Sequence, residues 1–470
     1  MEKSNVLLIN PSLLEVYEDA KVKGAVPHYP PLNLLTIAGS LLKEDHKVSL
    51  LDYDLIGMKD QHEVLKKKLE EIKPDIVGFT FGSPTYSQCK KMAAVVKQFD
   101  PNILIIAGGS HPSSDPQGVL KESDIDIVIC GEGDFAIIDI VNTEDYHKVL
   151  GIGFKDHKNK GEIIITPKRP FIQNLDELPM PAFEIVNVHD YYVPPSFCRE
   201  SPAMTVETSR GCVWGCTYCT KAVFGRNFRY KSPQRVVDEF KRMIEFGYKE
   251  IHITDDMFTT NKERVKDICR LMKEQNLKVI WACPNGIRAD RTDEELIQLM
   301  YDAGCYRVSF GVESGNQQVL NNIDKQQTPD QVRAAFKACN KVGMETHAYL
   351  ILGLPGETEE TMQQTIEFAK EIKPTIAKFD ILIPLPSTPL YHSWKGKYFH
   401  TEDWDNFNYH SAKDLYTHPN LSWEIMEKYY NKAFRSFYFR PNYMVKRFFT
   451  SLKNGTLMVD LKLAMETKWF

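Results

Sequence analysis

The sequence predicts an α/β protein with three parts: a doubly wound, Rossmann-like N-terminal domain, a partial (β/α)6 barrel of the TIM type, and a helical, aromatic C-terminal region. Three observations predict this. Strand and helix signals alternate through residues 1–147, a hairpin and Pro-rich connector occupies 148–200, and the alternation returns over 201–395. The region 396–470 then changes composition: from residue 421 onward it holds nine Lys/Arg, four Asp/Glu and twelve aromatics.

In the first domain Val6–Asn10, Val48–Asp52, Ile76–Phe81, Ile103–Ala107 and Ile125–Cys130 read as strands. Leu32–Glu44, His62–Ile72, Ser87–Gln98 and Gln117–Glu122 carry helical periodicity between them. Continuous apolar runs such as ILIIAGG suit a parallel sheet buried on both faces. Glycines follow the strands at Gly82, Gly108, Gly109, Gly131 and Gly133, on the carboxyl edge where open α/β sheets bind ligands. The segment LGIGFKDHKNKGEIIITPKRPF reads as a β-hairpin.

In the barrel, strands are expected at 204–208, 249–254, 278–283, 306–311, 347–352 and 379–384. Helices are expected near 233–246, 262–275, 293–303, 328–342 and 358–372. Six right-handed β/α units, not eight, leave a barrel open along one side.

Composition narrows the function classes. With 58 Lys/Arg against 63 Asp/Glu the formal charge is -5, too balanced for a general nucleic-acid binder. The opening MEKSNVLLINPS lacks a signal-peptide layout, and no apolar run approaches the roughly 18–20 residues that span a bilayer. A cytoplasmic protein with reduced thiols is the expectation. Seven of the ten cysteines are scattered (Cys89, Cys130, Cys198, Cys269, Cys283, Cys305, Cys339) and read as small buried apolar residues.

The remaining three are different. Arg210-Gly211-Cys212-Val213-Trp214-Gly215-Cys216-Thr217-Tyr218-Cys219 spaces its thiols as C-x3-C-x2-C just after the first barrel strand. Thiolates in this pattern suit iron–sulfur or zinc, but structural zinc wants four protein ligands and no local fourth is present. Three ligands on a four-iron cluster leave one iron open to substrate.

At these residues the chain resembles the radical S-adenosylmethionine (SAM) superfamily. The resemblance implies a [4Fe-4S] cluster on Cys212, Cys216 and Cys219, whose open iron chelates SAM and splits it to a 5′-deoxyadenosyl radical. It also implies SAM contacts from Tyr218, Asp255, Arg288 and Glu313, and an adenine-binding stretch carrying Gly353, Pro355 and Gly356. These fall on strand ends, where a barrel site requires them.

The first domain, through LLINPS, HYPPLNLLTIAGSL, AGGSHP and CGEGD, resembles the cobalamin-binding domain of class B radical SAM enzymes. That resemblance implies contacts to cobalamin from Asn10, Ser83, Pro84, Thr85, Gly108, Gly109, His111, Gly131, Glu132 and Gly133. The mutase-type D-x-H-x-x-G motif is absent after the first strand, which reads NPSLLE; the run Asp52–Gly57 mimics its spacing with Asp54 in place of His. The cobalamin is therefore expected without a protein His on its lower face, with the loop Gly82–Tyr86 covering it and His111 at the ring periphery or in a local turn. Both cofactors must face one cavity, so the carboxyl rims of the two domains should meet. The FYFRP stretch resembles class B tails and implies core plus a pocket lid.

Together these features imply an oxygen-sensitive, cobalamin-dependent radical SAM methyltransferase. It would methylate an unactivated carbon through the 5′-deoxyadenosyl radical and methylcobalamin. Alternatives are a non-methylating cyclase or rearrangement enzyme with both cofactors, a methylthiotransferase-like enzyme, and a non-catalytic cobalamin or redox sensor. The methylthiotransferase reading wants three cysteines in the first domain, which holds two. Expected partners are a reductant such as flavodoxin or ferredoxin and a peptide, natural-product, tetrapyrrole or lipid substrate. No residue acting on substrate is assigned.

Overall fold

Five parallel strands build the first sheet: β1 (Asn5–Asn10), β2 (Lys47–Asp52), β3 (Ile76–Thr80), β4 (Leu104–Gly108) and β5 (Ile127–Ile129). Their order, β2-β1-β3-β4-β5, places the switch point between β1 and β3. This is a computed structural model, and it describes residues 3–14, 27–57, 60–159, 161–195, 197–401, 404, 413 and 415–467.

Period-2 alternation divides the sheet's side chains between two helical layers. Val6, Leu8, Ile76 and Ile106 pack with the helix Leu32–Lys43. Leu7, Ile9, Val77, Phe79 and Ile105 pack with Gln61–Ile72 and Tyr86–Phe99. Asp52 caps the short helix Tyr53–Ile56 by accepting from the Asp54 amide at 3.0 Å, so the Asp52–Gly57 run is a turn signal.

The expected hairpin forms, and it joins the first sheet. Its strands β6 (Ile152–Asp156) and β7 (Glu162–Ile165) add antiparallel to the edge at β5, extending the sheet to seven strands. Pairing Ile127–Ile129 with Ile152–Phe154 satisfies an edge that would otherwise stay open.

The second sheet is all parallel and sequential: β8 (Ala203–Val206), then β11 (Glu250–Ile253), β12 (Ile280–Ile287), β13 (Cys305–Glu313), β14 (Glu345–Leu352) and β15 (Ile376–Ile381). Between β8 and β11 lies a two-residue antiparallel pair, β9 (Ser209–Arg210) with β10 (Arg229–Tyr230), which the sequence did not suggest. The outer helices bury apolar faces on the strands, as Val236, Phe240 and Met243 do against Ile251 and Ile253. The last strand begins and ends about three residues before the expected span, because Pro384 and Pro386 cannot donate to a ladder.

The C-terminal region divides. Helix Trp423–Tyr438 buries Met426, Tyr429, Ala433 and Phe437 in the barrel core, whereas Pro441–Asn454 and Leu457–Glu466 bury almost nothing apolar. Among the described residues no helix is long and apolar enough to cross a membrane.

Candidate active site

The cysteine loop is an excursion whose neck is the β9–β10 pair, Arg210 opposite Arg229. Gly211 turns the chain out of the neck at φ 83°, and a Cβ there would lie 2.4 Å from the Asn227 carbonyl oxygen. Only glycine fits so close an approach.

Asp255, at the end of β11, locks the base of the neck. Its carboxylate accepts from the Thr208 amide (2.5 Å), the Thr208 hydroxyl (2.6 Å) and the Ser209 hydroxyl (2.5 Å). Asp256 accepts from the Gly211 amide at 3.1 Å. Through these bonds Asp255, one of the residues expected near SAM, shapes the base of the loop.

Arg288 donates through Nε to Asp290 (2.7 Å) and through Nη2 to the carbonyls of Lys325 (2.7 Å) and Gln326 (2.8 Å), and its guanidinium lies 4.4 Å from the Trp214 ring centroid. These contacts hold Trp214 in the cysteine loop.

The three thiols sit at three depths, Cys216 buried, Cys212 half-buried and Cys219 exposed, and none is in a disulfide. Burial raises the Cys212 thiol. Among the described residues no three His, Cys, Asp or Glu side chains converge as a one-ion site requires. A cubane cluster asks for something else: three soft ligands on three separate irons, which stand apart. The donor set fits that group. Cluster assembly must displace the thiol protons, a coupling general to thiolate metal sites.

On the barrel rim, Tyr218 is hydrogen-bonded to Glu313, and burial together with that carboxylate raises its hydroxyl well above the usual phenol range. Glu313, at φ 61°, also takes Lys325 Nζ at 2.6 Å. Across the barrel, Gly353 and Leu354 donate their amides to Glu357 Oε2 at 2.6 and 3.0 Å. Asn322 holds the Pro355 carbonyl at 3.0 Å, and Gly356 is solvent-exposed. Glu357 is fully buried, its Oε1 has no partner, and burial pushes its carboxyl up to about 8. A loop stiffened this way, with an orphaned polar atom beneath it, suits the adenine and ribose of SAM. Nothing in the sequence signalled that Glu357 would cap this loop from beneath.

In the first domain, Asn10 donates to Asp52 at 2.8 Å, and Asp52 also accepts from Tyr191 at 3.0 Å. The turn Ser83–Thr85 follows β3, with Pro84 half-buried at the rim and its neighbours buried. Gly108, Gly109, Gly131 and Gly133 line the same carboxyl edge, none fully buried. A flat corrin ring needs such a cradle.

Of the two places expected for His111, it takes up contacts of the local-turn kind: it is buried, bonded to the Ser83 hydroxyl at 2.9 Å and 4.7 Å from the Tyr86 ring. Burial lowers it to about 4, so it stays neutral there. Glu132 lies at the domain junction. Its carboxylate accepts from Arg210 (3.0 Å), Arg229 (2.7 Å) and the Ile172 amide (2.8 Å), facing the barrel.

That contact joins the two carboxyl edges. Arg210 binds Asp134 through two nitrogens (2.7 and 3.0 Å), Glu132 (3.0 Å) and Glu207 (2.6 Å), all buried or nearly so. Ser387 bridges Ser114 of the first domain (3.0 Å) to Thr220 beside the cysteine loop (2.9 Å). These contacts bring the glycine-bearing edge of the first domain and the cysteine loop together.

Comparisons with known proteins agree. The radical SAM superfamily model matches residues 206–369, and the B12 binding domain model matches 22–141. The chain is 31% identical to an uncharacterised methyltransferase of Pyrococcus horikoshii, over 89% of this chain and 90% of that one. It is 29% identical to the anaerobic magnesium-protoporphyrin IX monomethyl ester cyclase of Cereibacter sphaeroides, over 81% of this chain and 63% of the cyclase. In fold it is similar to the radical SAM methyltransferase TsrM of Kitasatospora setae, a structure with cobalamin and [4Fe-4S] cluster bound. The TM-score is 0.68 at 19% identity, covering 83% of this chain and 77% of that one. Enzymes of this kind use a [4Fe-4S] cluster, SAM and cobalamin, and need a reductant and a substrate. The chain belongs to the class B radical SAM family: it is a cobalamin-dependent radical SAM enzyme of the methyltransferase type.

Proposed function

We propose that the protein C-methylates an unactivated carbon in the cytoplasm, drawing electrons from a flavodoxin or ferredoxin. The observation that carries this reading is the junction of the two carboxyl edges at Arg210, Glu132 and Asp134; in this reading the two cofactor sites share one cavity beside it. The cofactors supply the one-electron cleavage and the methyl carrier; the chain binds, orients and shields them. In this reading Cys212, Cys216 and Cys219 hold the cluster. Tyr218, Glu313 and the Gly353–Gly356 backbone position SAM. Asn10, Ser83, Pro84, Thr85, Gly108, Gly109, Gly131 and Gly133 border the corrin. Substrate classes open to such a cavity are peptides, natural-product intermediates, tetrapyrroles and lipids.

The test is anaerobic reconstitution with cluster, cobalamin, SAM and a reductant. A methylase forms both S-adenosylhomocysteine and 5′-deoxyadenosine. The cyclase relative supports a second reading, non-methylating oxidation, which yields 5′-deoxyadenosine without S-adenosylhomocysteine. The methylthiotransferase reading loses support because Cys89 is fully buried among Tyr86, Met92 and Val96, away from any ligand position.

A further inference from the structure

Nine of the twenty exposed large apolar side chains among the described residues fall between Phe439 and Met465. That is a small fraction of the chain, so the concentration needs a cause. On helix Pro441–Asn454 the inner stripe is Tyr443, Arg447 and Ser451. Tyr443 donates to the Thr375 carbonyl (3.0 Å), Arg447 pairs with Asp460 (2.7 Å), and Ser451 bonds to Asp460. These contacts fix the rotation of both terminal helices.

With that rotation fixed, Met444, Val445, Phe448, Phe449 and Leu452 point away from the protein at helical spacing, 48–64% exposed. Met458 (76%), Leu461 (47%) and Met465 (79%) continue the face on helix Leu457–Glu466. A contiguous apolar surface of this kind on a water-facing helix pair marks a docking face.

Charge selects the occupant. From residue 439 to 467 the chain carries five Lys/Arg and two Asp/Glu. Beside the face an open groove of about 750 Å³ is lined by Lys432, Arg435, Arg440, the exposed Phe439 and Lys428, which also pairs with Glu359 at 3.4 Å. Arg440 gives its hydrogen bonds to the carbonyls of Phe437 (2.9 Å) and Lys370 (3.1 Å), not to a carboxylate. The surface keeps a net positive charge after Arg447 and Lys462 pair with Asp460 and Glu466, so a second copy of it would be repelled. An apolar ridge flanked by cations instead matches anionic phosphate over hydrocarbon.

We infer that the two terminal helices dock the enzyme on an anionic lipid surface, with the apolar stripe in the headgroup–acyl boundary and the basic groove on lipid phosphates. The site stays in reach of that surface. Helix Trp423–Tyr438 starts with Met426 against Gly353 of the SAM loop and ends at the face, about 18 Å away at 1.5 Å per residue.

The experiment is co-sedimentation of the full-length reconstituted enzyme with phosphatidylcholine vesicles, with and without phosphatidylglycerol. Binding to the anionic vesicles is expected to exceed binding to the neutral ones by about tenfold and to fall with added salt. The triple variant Phe449→Glu, Leu452→Glu, Met465→Glu is expected to lose about tenfold in vesicle binding. Its 5′-deoxyadenosine yield should stay at the parent level. Lys432→Glu with Lys446→Glu keeps the apolar stripe and is expected to abolish the preference for anionic lipid. Equal binding to both vesicle types, or binding untouched by these substitutions, overturns the inference. So does a dimer, seen by sedimentation velocity, that the triple variant dissociates, since that assigns the face to a second copy.

Discussion

Arg210, two residues before the first cluster cysteine, holds Asp134 of the first domain in a two-point ion pair at 2.7 and 3.0 Å. Burial alone would raise Asp134, yet the guanidinium outweighs it and keeps the carboxyl below its usual range. The pair ties the cysteine loop directly to the loop after β5. Arg210→Ala leaves three carboxylates buried around a lost cation and is expected to cost about 3–5 kcal/mol. Urea unfolding measures it. Arg210→Lys should recover only part of the loss, since a point charge cannot replace the fork.

Arg288→Lys separates structural from ligand-binding roles. It removes the bonds to the Lys325 and Gln326 carbonyls and the contact over Trp214, with an expected cost of about 1.5–3 kcal/mol. Iron content per chain is expected to fall as the cysteine loop loosens. SAM affinity of the iron-loaded fraction is expected to stay unchanged; a large loss there would return Arg288 to the SAM site.

Gly109 sits at φ 108°, and a Cβ would lie 2.6 Å from the Phe81 carbonyl oxygen. Gly109→Ala is expected to cost about 1–3 kcal/mol through backbone strain. It is also expected to reduce the cobalamin retained after desalting, read from the corrin absorbance.

Glu357 makes stability fall as pH rises. Its folded value of about 8 lies above the ordinary carboxylate value of 4.5, so between these the folded state keeps a proton that the unfolded chain has released. The contribution is fully present below about 4.5 and lost through about 8. The parent Tm should therefore decline across that window, and Glu357→Gln should flatten the decline. A steeper decline in the variant would contradict the assignment.

Most elements were legible because their signals are local. Continuous apolar runs such as ILIIAGG report strands buried on both faces, and 3.6-residue periodicity reports helices buried on one. The cysteine loop was legible because few functions need three thiols at that spacing. The side-chain network was not. Asp255, Glu132 and Arg288 are ionisable residues at strand ends, the places where cofactor contacts and structural ion pairs look alike in a sequence. Which one forms depends on partners far along the chain, 78 residues apart for Glu132 and Arg210. His111 was unreadable for the same reason, since its burial comes from Phe81, Tyr86 and Trp404 converging from separate segments.

The central claim, that cluster and corrin share one cavity, is tested most directly by electron paramagnetic resonance of the reconstituted enzyme with reduced cluster and cob(II)alamin. Spin–spin coupling is predicted to broaden the cobalt signal, and the broadening should vanish in Cys216→Ala, which cannot hold the cluster. A cobalt signal identical with and without the cluster would contradict the account.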